Sequence, residues 1–253
     1  MPGLLSEVTP VILTGDEEAN IARTLGQLRW AREVIVVDSE STDRTRAIAE
    51  SFANVRFVTR RFDDLAAQWT FAASLAETPW ILTLDADYFV PDAFAAELDA
   101  LQPVADGYEA EFVYAIDGHP IRASLYTPRA VLLRRGAFEF YMDGHTQRVR
   151  VNGSMARLRE RIVHDDRKSL RRFVARQKRY MRDEAAKLRA TPWRDANAAG
   201  KVRKLRVVAP FAVALHTLFV RRAVLDGWAG WRYAAERVIA EVILSWRLLR
   251  GGS

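Results

Sequence analysis

The amino-acid sequence predicts an α/β fold, with a mixed, mainly parallel sheet, helices on both faces and a C-terminal helical region. Two patterns in the 253 residues support this prediction. In the N-terminal part, short apolar segments rich in β-branched residues alternate with segments of helical periodicity, which is typical of a parallel sheet with covered faces. In the C-terminal part, the apolar residues recur at helical spacing.

Strands and helices alternate in the N-terminal part. The predicted strands cover residues 9–14, 33–38, 55–59 and 80–84, and the predicted helices cover 17–28, 41–52, 65–75 and a segment that opens at Pro91. Ligands of such sheets bind beyond the carboxyl ends of the strands. Thr14, Asp38 and Asp85 stand at three strand ends, so we expect them to line one crevice.

A β pattern begins at Gly107 and extends to His164. Residues 108–116 and 130–134 indicate strands, and residues 149–158 indicate a hairpin that turns at Asn152-Gly153. We expect these strands to extend the sheet in mixed orientation. Ser169 then caps a long helix that ends at Thr191-Pro192, and two helices follow near 201–222 and 231–250. The predicted domains are residues 1–168 and 169–253.

Charge is distributed unevenly along the chain. Residues 1–110 carry 8 Lys and Arg against 19 Asp and Glu, whereas residues 111–253 carry 30 against 13. The basic half is suited to phosphates, anionic lipid or nucleic acid. The absence of cysteine excludes disulfides and thiolate metal sites. No signal peptide is expected, and the longest apolar stretch, 207–220, is shorter than the roughly 20 residues of a membrane span.

The segment Asp85-Ala86-Asp87 follows an apolar strand and is the clearest candidate for chemistry. Residues i and i+2 of an extended segment point the same way, so both carboxylates emerge together at the sheet edge. Paired carboxylates attract a hard divalent cation such as Mg²⁺ or Mn²⁺, which also binds phosphate oxygens. The alternative is a solvated acidic turn.

Asp38 ends the most apolar strand. Its carboxylate is placed to accept a hydrogen bond from a ribose hydroxyl or a base N–H, as acidic groups do in related nucleotide sites. Alternatively, it caps the helix that follows.

Three segments occur in order with fitting gaps: 14–21 (TGDEEANI), 36–45 (VVDSESTDRT) and 84–87 (LDAD). Together they resemble glycosyltransferase family 2 and its GT-A fold, and within that family the bacterial lipopolysaccharide-core and polysaccharide-biosynthesis type. The resemblance continues through 60–64, 67–69, 143–149 and 164–168, and so covers most of the chain.

The resemblance implies an inverting glycosyltransferase that uses a nucleotide sugar, by default a UDP-sugar, and Mg²⁺ or Mn²⁺. Residues 1–168 would be the GT-A catalytic domain. Thr14 and Glu17 would flank the nucleobase, and Asp38 would contact the base or ribose. Asp85 would contact the ribose or the metal, and Asp87 would bind the metal that holds the diphosphate.

The general base is where the sequence departs from the resemblance. Many relatives have a His-Glu pair where this chain has Thr146-Gln147, and neither of these side chains is a useful base. Asp143 is the favoured base because family members usually use a carboxylate. His145 is the alternative because an imidazole titrates near neutral pH. Asp16 and Trp69 are two further departures, and Trp69 either stacks on a ligand or fills the core.

The segment 164–168 is a second candidate for ligand binding. His164 would complete the metal shell or contact the diphosphate, and Arg167 and Lys168 would bind phosphate oxygens. A charged loop before the helix cap is the alternative interpretation.

The basic helical region, 169–253, contains four tryptophans, and the last helix has an apolar stripe at residues 235, 238, 239, 242, 243, 246 and 249. Arginine-rich faces combined with aromatic residues are typical of interfacial helices. We therefore expect a cytoplasmic protein, peripheral on the inner face of the cell membrane, with a saccharide or lipid-linked acceptor. Alternatively, these helices pack on the catalytic domain.

Other functions remain as alternatives. A polyprenyl-phosphate glycosyltransferase would share the fold and the metal site. A dinucleotide-dependent oxidoreductase is disfavoured because the turn after the first strand has one glycine and three acidic residues. A basic module that binds nucleic acid or membrane is the non-enzymatic alternative, but it leaves the acidic crevice unexplained, so no nucleic-acid partner is expected.

Overall fold

The computed structural model describes residues 3–122, 126–143, 146–167 and 169–251. The chain forms two compact units. The first comprises Met1–Val113 with Tyr126–Arg167, and the second comprises Tyr114–Leu125 with Lys168–Ser253. The division after Arg167 lies one residue before the predicted boundary, whereas the segment 114–125 groups with the C-terminal helices.

The first unit is built on a sheet that begins with four parallel strands. These are β1 (Val8–Thr14), β2 (Val34–Asp38), β3 (Val55–Thr59) and β4 (Trp80–Asp85), in the spatial order β3-β2-β1-β4. Every residue of β2 is buried. Its β-branched residues favour an extended backbone and a strand covered on both faces. The predicted parallel sheet is therefore confirmed.

Helices cover both faces of this sheet. They are α1 (Ile21–Gly26), α2 (Thr45–Ala49), α3 (Leu65–Ser74) and α4 (Asp92–Ala100). Successive strand residues point to opposite faces. Ile12 and Val36 accordingly belong to one apolar cluster with residues of α1, α2 and α4. Val11 and Val37 belong to a second cluster with residues of α3.

The sheet continues with antiparallel strands. The remaining strands are β5 (Tyr88–Phe89), β6 (Gly107–Ile116), β7 (His119–Ile121), β8 (Arg129–Arg134), β9 (Phe138–Asp143), β10 (Thr146–Val151) and β11 (Met155–His164). β8 pairs antiparallel with both β4 and β6, and the order continues through β11 to β5. The predicted extension of the sheet in mixed orientation is confirmed for these strands.

The predicted hairpin over residues 149–158 is wrong. β10 pairs with β9 in a separate two-stranded sheet, and β11 joins the main sheet. The chain bends at Asn152-Gly153, but the neighbouring backbone groups form hydrogen bonds with other segments. The Asn152 amide donates to the Ala137 carbonyl at 2.7 Å, and the Ser154 amide donates to the Asp106 carboxylate at 3.0 Å. The two strands therefore diverge after the turn.

The second unit is helical. It contains α5 (Leu170–Ala190), α6 (Ala198–Lys204), α7 (Val208–Leu215) with a π-helical segment at His216–Val220, and α8 (Gly227–Leu249). The helix predicted near 201–222 is broken at Arg206, whose φ is +56°. Among the described residues no single helix is long and apolar enough to cross a bilayer. The pair Val208–Val220 and Ala223–Leu249, bent by 67°, meets that criterion together by length and composition alone.

Candidate active site

The carboxyl ends of β1, β2 and β4 meet at one edge of the sheet, as the strand pattern predicted. In the parallel register Thr14 lies opposite Asp38, and Leu13 lies opposite Asp85. Parallel strands end on the same side, so this alignment brings polar residues distant in sequence to one edge. The sheet register thus creates the candidate site.

Asp38 is buried at this edge, with 2% of its surface exposed. Its carboxylate accepts hydrogen bonds from the Thr14 hydroxyl at 2.7 Å, the Ser41 amide at 2.7 Å and the Ser41 hydroxyl at 2.5 Å. A carboxylate offers about four acceptor positions. These contacts use three of them, so about one acceptor position remains for a ribose hydroxyl or a base N–H.

The loops after β1 and β2 are fixed to each other. The Asp16 amide donates to the Ser41 hydroxyl at 2.8 Å, and the Glu17 amide donates to the Thr45 hydroxyl at 2.7 Å. The Glu17 carboxylate accepts from the Asn20 amide side chain at 3.0 Å. Thr14, Glu17 and Asp38, predicted to bind the nucleoside, therefore lie in one connected hydrogen-bond network.

Asp87 contacts His164 directly. His164 Nε2 lies 3.1 Å from Asp87 Oδ2, and both side chains are mostly buried. The antiparallel pairing of β11 with β5 places His164 opposite Tyr88, so the His164 ring lies beside Asp87. The structure thus brings His164 to the Asp85-Ala86-Asp87 segment across 77 residues of sequence, while its predicted role in the metal shell or at the diphosphate stays a prediction.

The charges around Asp85 and Asp87 alter their neighbours' protonation. Burial and then repulsion by Asp87 raise the pKa of Asp85, although Arg129, Tyr88 and His164 oppose this. The Asp85 side chain lines the cavity and keeps 42% of its surface exposed, so solvent weakens this effect of burial. Burial disfavours protonation of His164, but attraction by Asp87 and Asp85 outweighs it, so the pKa of His164 is raised. Two neighbouring acids that repel each other are a favourable environment for a cation.

Three residues that the sequence analysis did not identify surround Asp85. Arg129, at the start of β8, lies 3.8 Å from the Asp85 carboxylate and 4.6 Å from the Tyr126 ring centre. The Tyr88 and Tyr126 hydroxyls are 2.6 Å apart. Burial raises the pKa of both tyrosines well above the ordinary value, so both remain neutral donors near pH 7. Tyr88 directly follows Asp87, which was an available signal. Only sheet pairing brings Arg129 here.

A cavity of about 470 Å³ opens beside Asp85. Its lining includes Asp85, Tyr88, Arg129, Trp69, Gln147 and Arg148. The β9–β10 hairpin contributes one wall. Trp69 is 6% exposed and stacks on Phe140, with ring centroids 5.8 Å apart, so it serves both as core and as cavity wall. The size of this cavity is typical of a small-molecule site, and its charged and polar lining suits a polar ligand.

One of the two predicted general bases, Asp143, ends β9. The Asp143 side chain is 60% exposed and forms an ion pair with Arg148 at 2.8 Å. Asp143 is not part of the cavity lining, whereas its partner Arg148 is. His145 lies outside the described residues, so the assignment of the base to Asp143 or His145 stays a prediction.

The loop after His164 is bound to α1. The Asp165 carboxylate is 3% exposed and accepts from Arg23 at 2.5 Å and from Arg167 Nε at 2.9 Å. The Arg167 amide donates to Asn20 at 3.0 Å. The guanidinium of Arg167, which was predicted to bind phosphate, therefore forms an ion pair with Asp165. Lys168 lies outside the described residues.

The predicted metal ligands suit a metal site that is completed by substrate phosphates and water, rather than one formed by protein side chains alone. Within the described parts of the chain, no three His, Asp or Glu side chains form a cluster able to hold an ion. Mg²⁺ commonly takes only one or two protein carboxylates together with substrate phosphates and water. Asp87 and His164, which are in contact, would supply such a partial set of donors. The repulsion from Asp87 that helps to raise the pKa of Asp85 would be relieved by a bound cation.

The order of the strands and helices is that of the GT-A fold. Residues 10–161 match the sequence model of Glycosyl transferase family 2. The match covers more than half of the chain and includes Asp38, Asp85 and Asp87. The chain belongs to glycosyl transferase family 2.

Individual relatives match shorter segments. An uncharacterized glycosyltransferase of Rickettsia bellii is 40% identical over 85 residues, which are 33% of this chain and 29% of that protein. The lipopolysaccharide core biosynthesis glycosyltransferase LpsC of Rhizobium meliloti is 30% identical over 99 residues, 38% of this chain and 37% of that protein. The matches thus span about a third of the length of these curated relatives.

A solved structure shares the fold across the whole chain. The mannosyltransferase of Pyrobaculum calidifontis, in complex with GDP-Man and Mn²⁺, has a TM-score of 0.53. The comparison covers 100% of this chain and 90% of that chain at 16% identity. Identity this low shows a common fold and nothing further about the ligand.

Proposed function

We propose that this protein transfers a sugar from a nucleotide sugar to a saccharide or lipid-linked acceptor of the cell envelope, with inversion at the anomeric carbon. The observation that carries this proposal is the sheet register that brings Asp38 and Asp85 to one edge, where Asp85 lines the cavity and Asp87 follows two residues later. Family membership supports glycosyl transfer, and the likeness to LpsC supports a cell-envelope acceptor.

The nucleoside end of the donor would lie at Thr14, Glu17 and Asp38. The remaining acceptor position of the Asp38 carboxylate suits a ribose hydroxyl or a base N–H. The fixed loops around Asp16 and Ser41 would hold this geometry without reorganisation on binding. UDP is the default nucleotide, and the mannosyltransferase bound to GDP-Man makes GDP the first alternative to test.

The diphosphate end would lie at Asp85, Asp87 and His164. These residues would hold Mg²⁺ or Mn²⁺ against the diphosphate, and the cation would neutralise charge on the leaving group. Arg129 stands on the cavity wall beside Asp85 and would add positive charge there. Arg167 keeps part of its guanidinium exposed and would bind a phosphate oxygen at the loop after β11.

The acceptor would approach through the cavity beneath the β9–β10 hairpin. An inverting displacement requires a base that removes the proton of the acceptor hydroxyl as the new bond forms. Asp143 and His145 are the two candidates in that hairpin. Arg148, paired with Asp143 and lining the cavity, would position the carboxylate toward it.

The experiment is thermal unfolding of the full chain with UDP, GDP, TDP, CMP or NAD, each with Mn²⁺ or EDTA. A ligand present at 100 times its Kd adds about 2.7 kcal/mol to the free energy of unfolding. The proposal predicts stabilisation by one nucleoside diphosphate that is lost in EDTA. Stabilisation by NAD, or by no nucleotide, contradicts it. The configuration of the product sugar, read by NMR, then tests inversion.

A further inference from the structure

The last helix of the second unit turns its apolar stripe outward. Five large side chains of α8 recur on one helical face and are each about half exposed: Trp228, Trp231, Val242, Trp246 and Leu249. Together with the exposed Ala235 they form a continuous row, here named the outer stripe. Rows of this kind on a stable soluble protein mark an interaction surface.

Polar contacts hold α8 in this orientation. Its inner side carries Glu236, Glu241 and Ser245, all buried. Glu241 accepts from Arg203 at 2.7 Å, and the Ser245 hydroxyl donates to the Arg206 carbonyl at 2.8 Å. Turning the outer stripe inward would break these contacts and leave buried carboxylates without partners, which is costly. The outward stripe is therefore a property of the folded unit.

A second apolar face lies on α7 and the π-helical segment after it. Phe211, Leu215 and Phe219 are spaced four residues apart and are 60–69% exposed. α7 packs against α8 within the unit. Among the described residues, these helical segments therefore expose five aromatic side chains, far more than the isolated apolar residues of an ordinary surface.

A cationic groove borders the outer stripe. It lies between α5 and α8, has a volume of about 610 Å³, and is lined by Trp246 and five cationic residues: Lys178, Arg182, Arg189, Arg247 and Arg250. Among the residues that the structure describes, no carboxylate lines this groove or pairs with these five. The Arg247 Nε atom is buried without a hydrogen-bond acceptor. The groove thus presents cationic donors whose chemistry suits phosphate oxygens.

We propose that the second unit docks on an anionic lipid bilayer, with the outer stripe among the acyl chains and the cationic groove on the lipid phosphates. Residues 169–251 carry 19 Lys and Arg against 6 Asp and Glu, which matches the negative surface of such a bilayer. Tryptophan favours the interface between headgroups and acyl chains. A helix of 23 residues is about 34 Å long and would lie along the surface.

A second copy of the chain fits this surface less well. In a symmetric pair the same patch meets itself, so the cationic groove of one copy would approach that of the other. The five cationic residues would then repel each other at close range. An anionic bilayer instead supplies apolar chains and phosphates to the same face.

The test is co-sedimentation of the full chain with vesicles of phosphatidylcholine alone or mixed equally with phosphatidylglycerol. We expect strong binding to the anionic vesicles and weak binding to the neutral ones. Near an anionic surface each Lys or Arg contributes about fivefold to partitioning, so Arg182→Gln with Arg250→Gln should weaken anionic binding by about 25-fold. Trp228→Ser, Trp231→Ser and Trp246→Ser together should reduce binding to both vesicle types. These side chains are half exposed, so the fold should persist.

Matched variants separate this proposal from its competitors. Arg171→Gln with Arg194→Gln removes the same charge from exposed positions outside the groove, and an equal loss of binding there overturns the groove assignment. Trp193→Ser removes an equally exposed tryptophan outside the outer stripe and should leave binding unchanged. Absence of binding to anionic vesicles, with a dimer in light scattering that the triple tryptophan variant dissociates, overturns the bilayer proposal in favour of a second copy.

Discussion

His164 Nε2 lies 3.1 Å from Asp87 Oδ2. This contact joins the strand that ends the first unit to the acidic segment after β4, and it places an imidazole beside the predicted metal ligands. The Asp87 main chain is fixed as well, because its carbonyl accepts from the Asp165 amide at 3.1 Å. The pair is therefore held in place before any ligand binds.

Asp87→Asn should abolish the stabilisation that a nucleoside diphosphate gives in the presence of Mn²⁺. The substitution keeps the shape of the side chain and its contact with His164, but it removes the charge that attracts the cation. Thermal unfolding with and without EDTA measures the effect. Asp195→Asn, at an exposed ion pair, is the control. An unchanged Mn²⁺-dependent shift in the Asp87 variant would show that the metal binds elsewhere.

The stability of the metal-free protein should depend on His164. Its raised folded pKa means that the protonated imidazole stabilises the folded state. This contribution is fully present below the unfolded value of about 6.5 and is lost as the pH rises through the folded pKa. Urea unfolding in EDTA across this range measures it. His164→Gln should remove the dependence, and His216→Gln should retain it. The same slope in the His164 variant contradicts the assignment.

Arg23→Met should destabilise the first unit by about 2–3 kcal/mol. It leaves the buried Asp165 carboxylate with Arg167 as an ion-pair partner, so the cost falls below the about 3–5 kcal/mol of a fully broken buried pair. Urea unfolding measures the change. The exposed Arg29→Met is the control and should change stability by less than about 0.5 kcal/mol. Equal effects in the two variants would mean that the Arg23–Asp165 pair contributes nothing.

Asp143→Asn should lower kcat by about 10²–10⁴-fold with little change in donor affinity, if Asp143 is the general base. Glu139→Gln is a close control, because Glu139 forms a comparable exposed ion pair with Arg150 on the same hairpin. Exposed pairs of this kind contribute at most about 1 kcal/mol to stability. If the two variants have the same kcat, Asp143 only forms a surface ion pair and His145 becomes the base to test.

Much of the first unit was predictable because its signals are local. The β-branched run at Val34–Val37 and the apolar strand before Asp85 each predicted a buried parallel strand, and the strand ends predicted the edge where Thr14, Asp38 and Asp85 lie. The helix beginning after Ser169 was also predictable, and the Ser169 hydroxyl accepts from the Arg172 amide as a cap. The Asn152-Gly153 turn was predicted, but the partners of its strands were not.

The sequence by itself determined the family, the parallel order of strand and helix, and the acids at the strand ends, because these depend on periodicity and short motifs. Tertiary structure alone decided that Arg129, Tyr126 and His164 surround Asp85 and Asp87, since strand pairing brings them together across long stretches of chain. It also decided that the outer stripe of α8 is exposed. Periodicity shows that a helix has an apolar face, but the packing of Tyr233 and Leu244 and the contacts of Glu241 and Ser245 determine which face of α8 is buried.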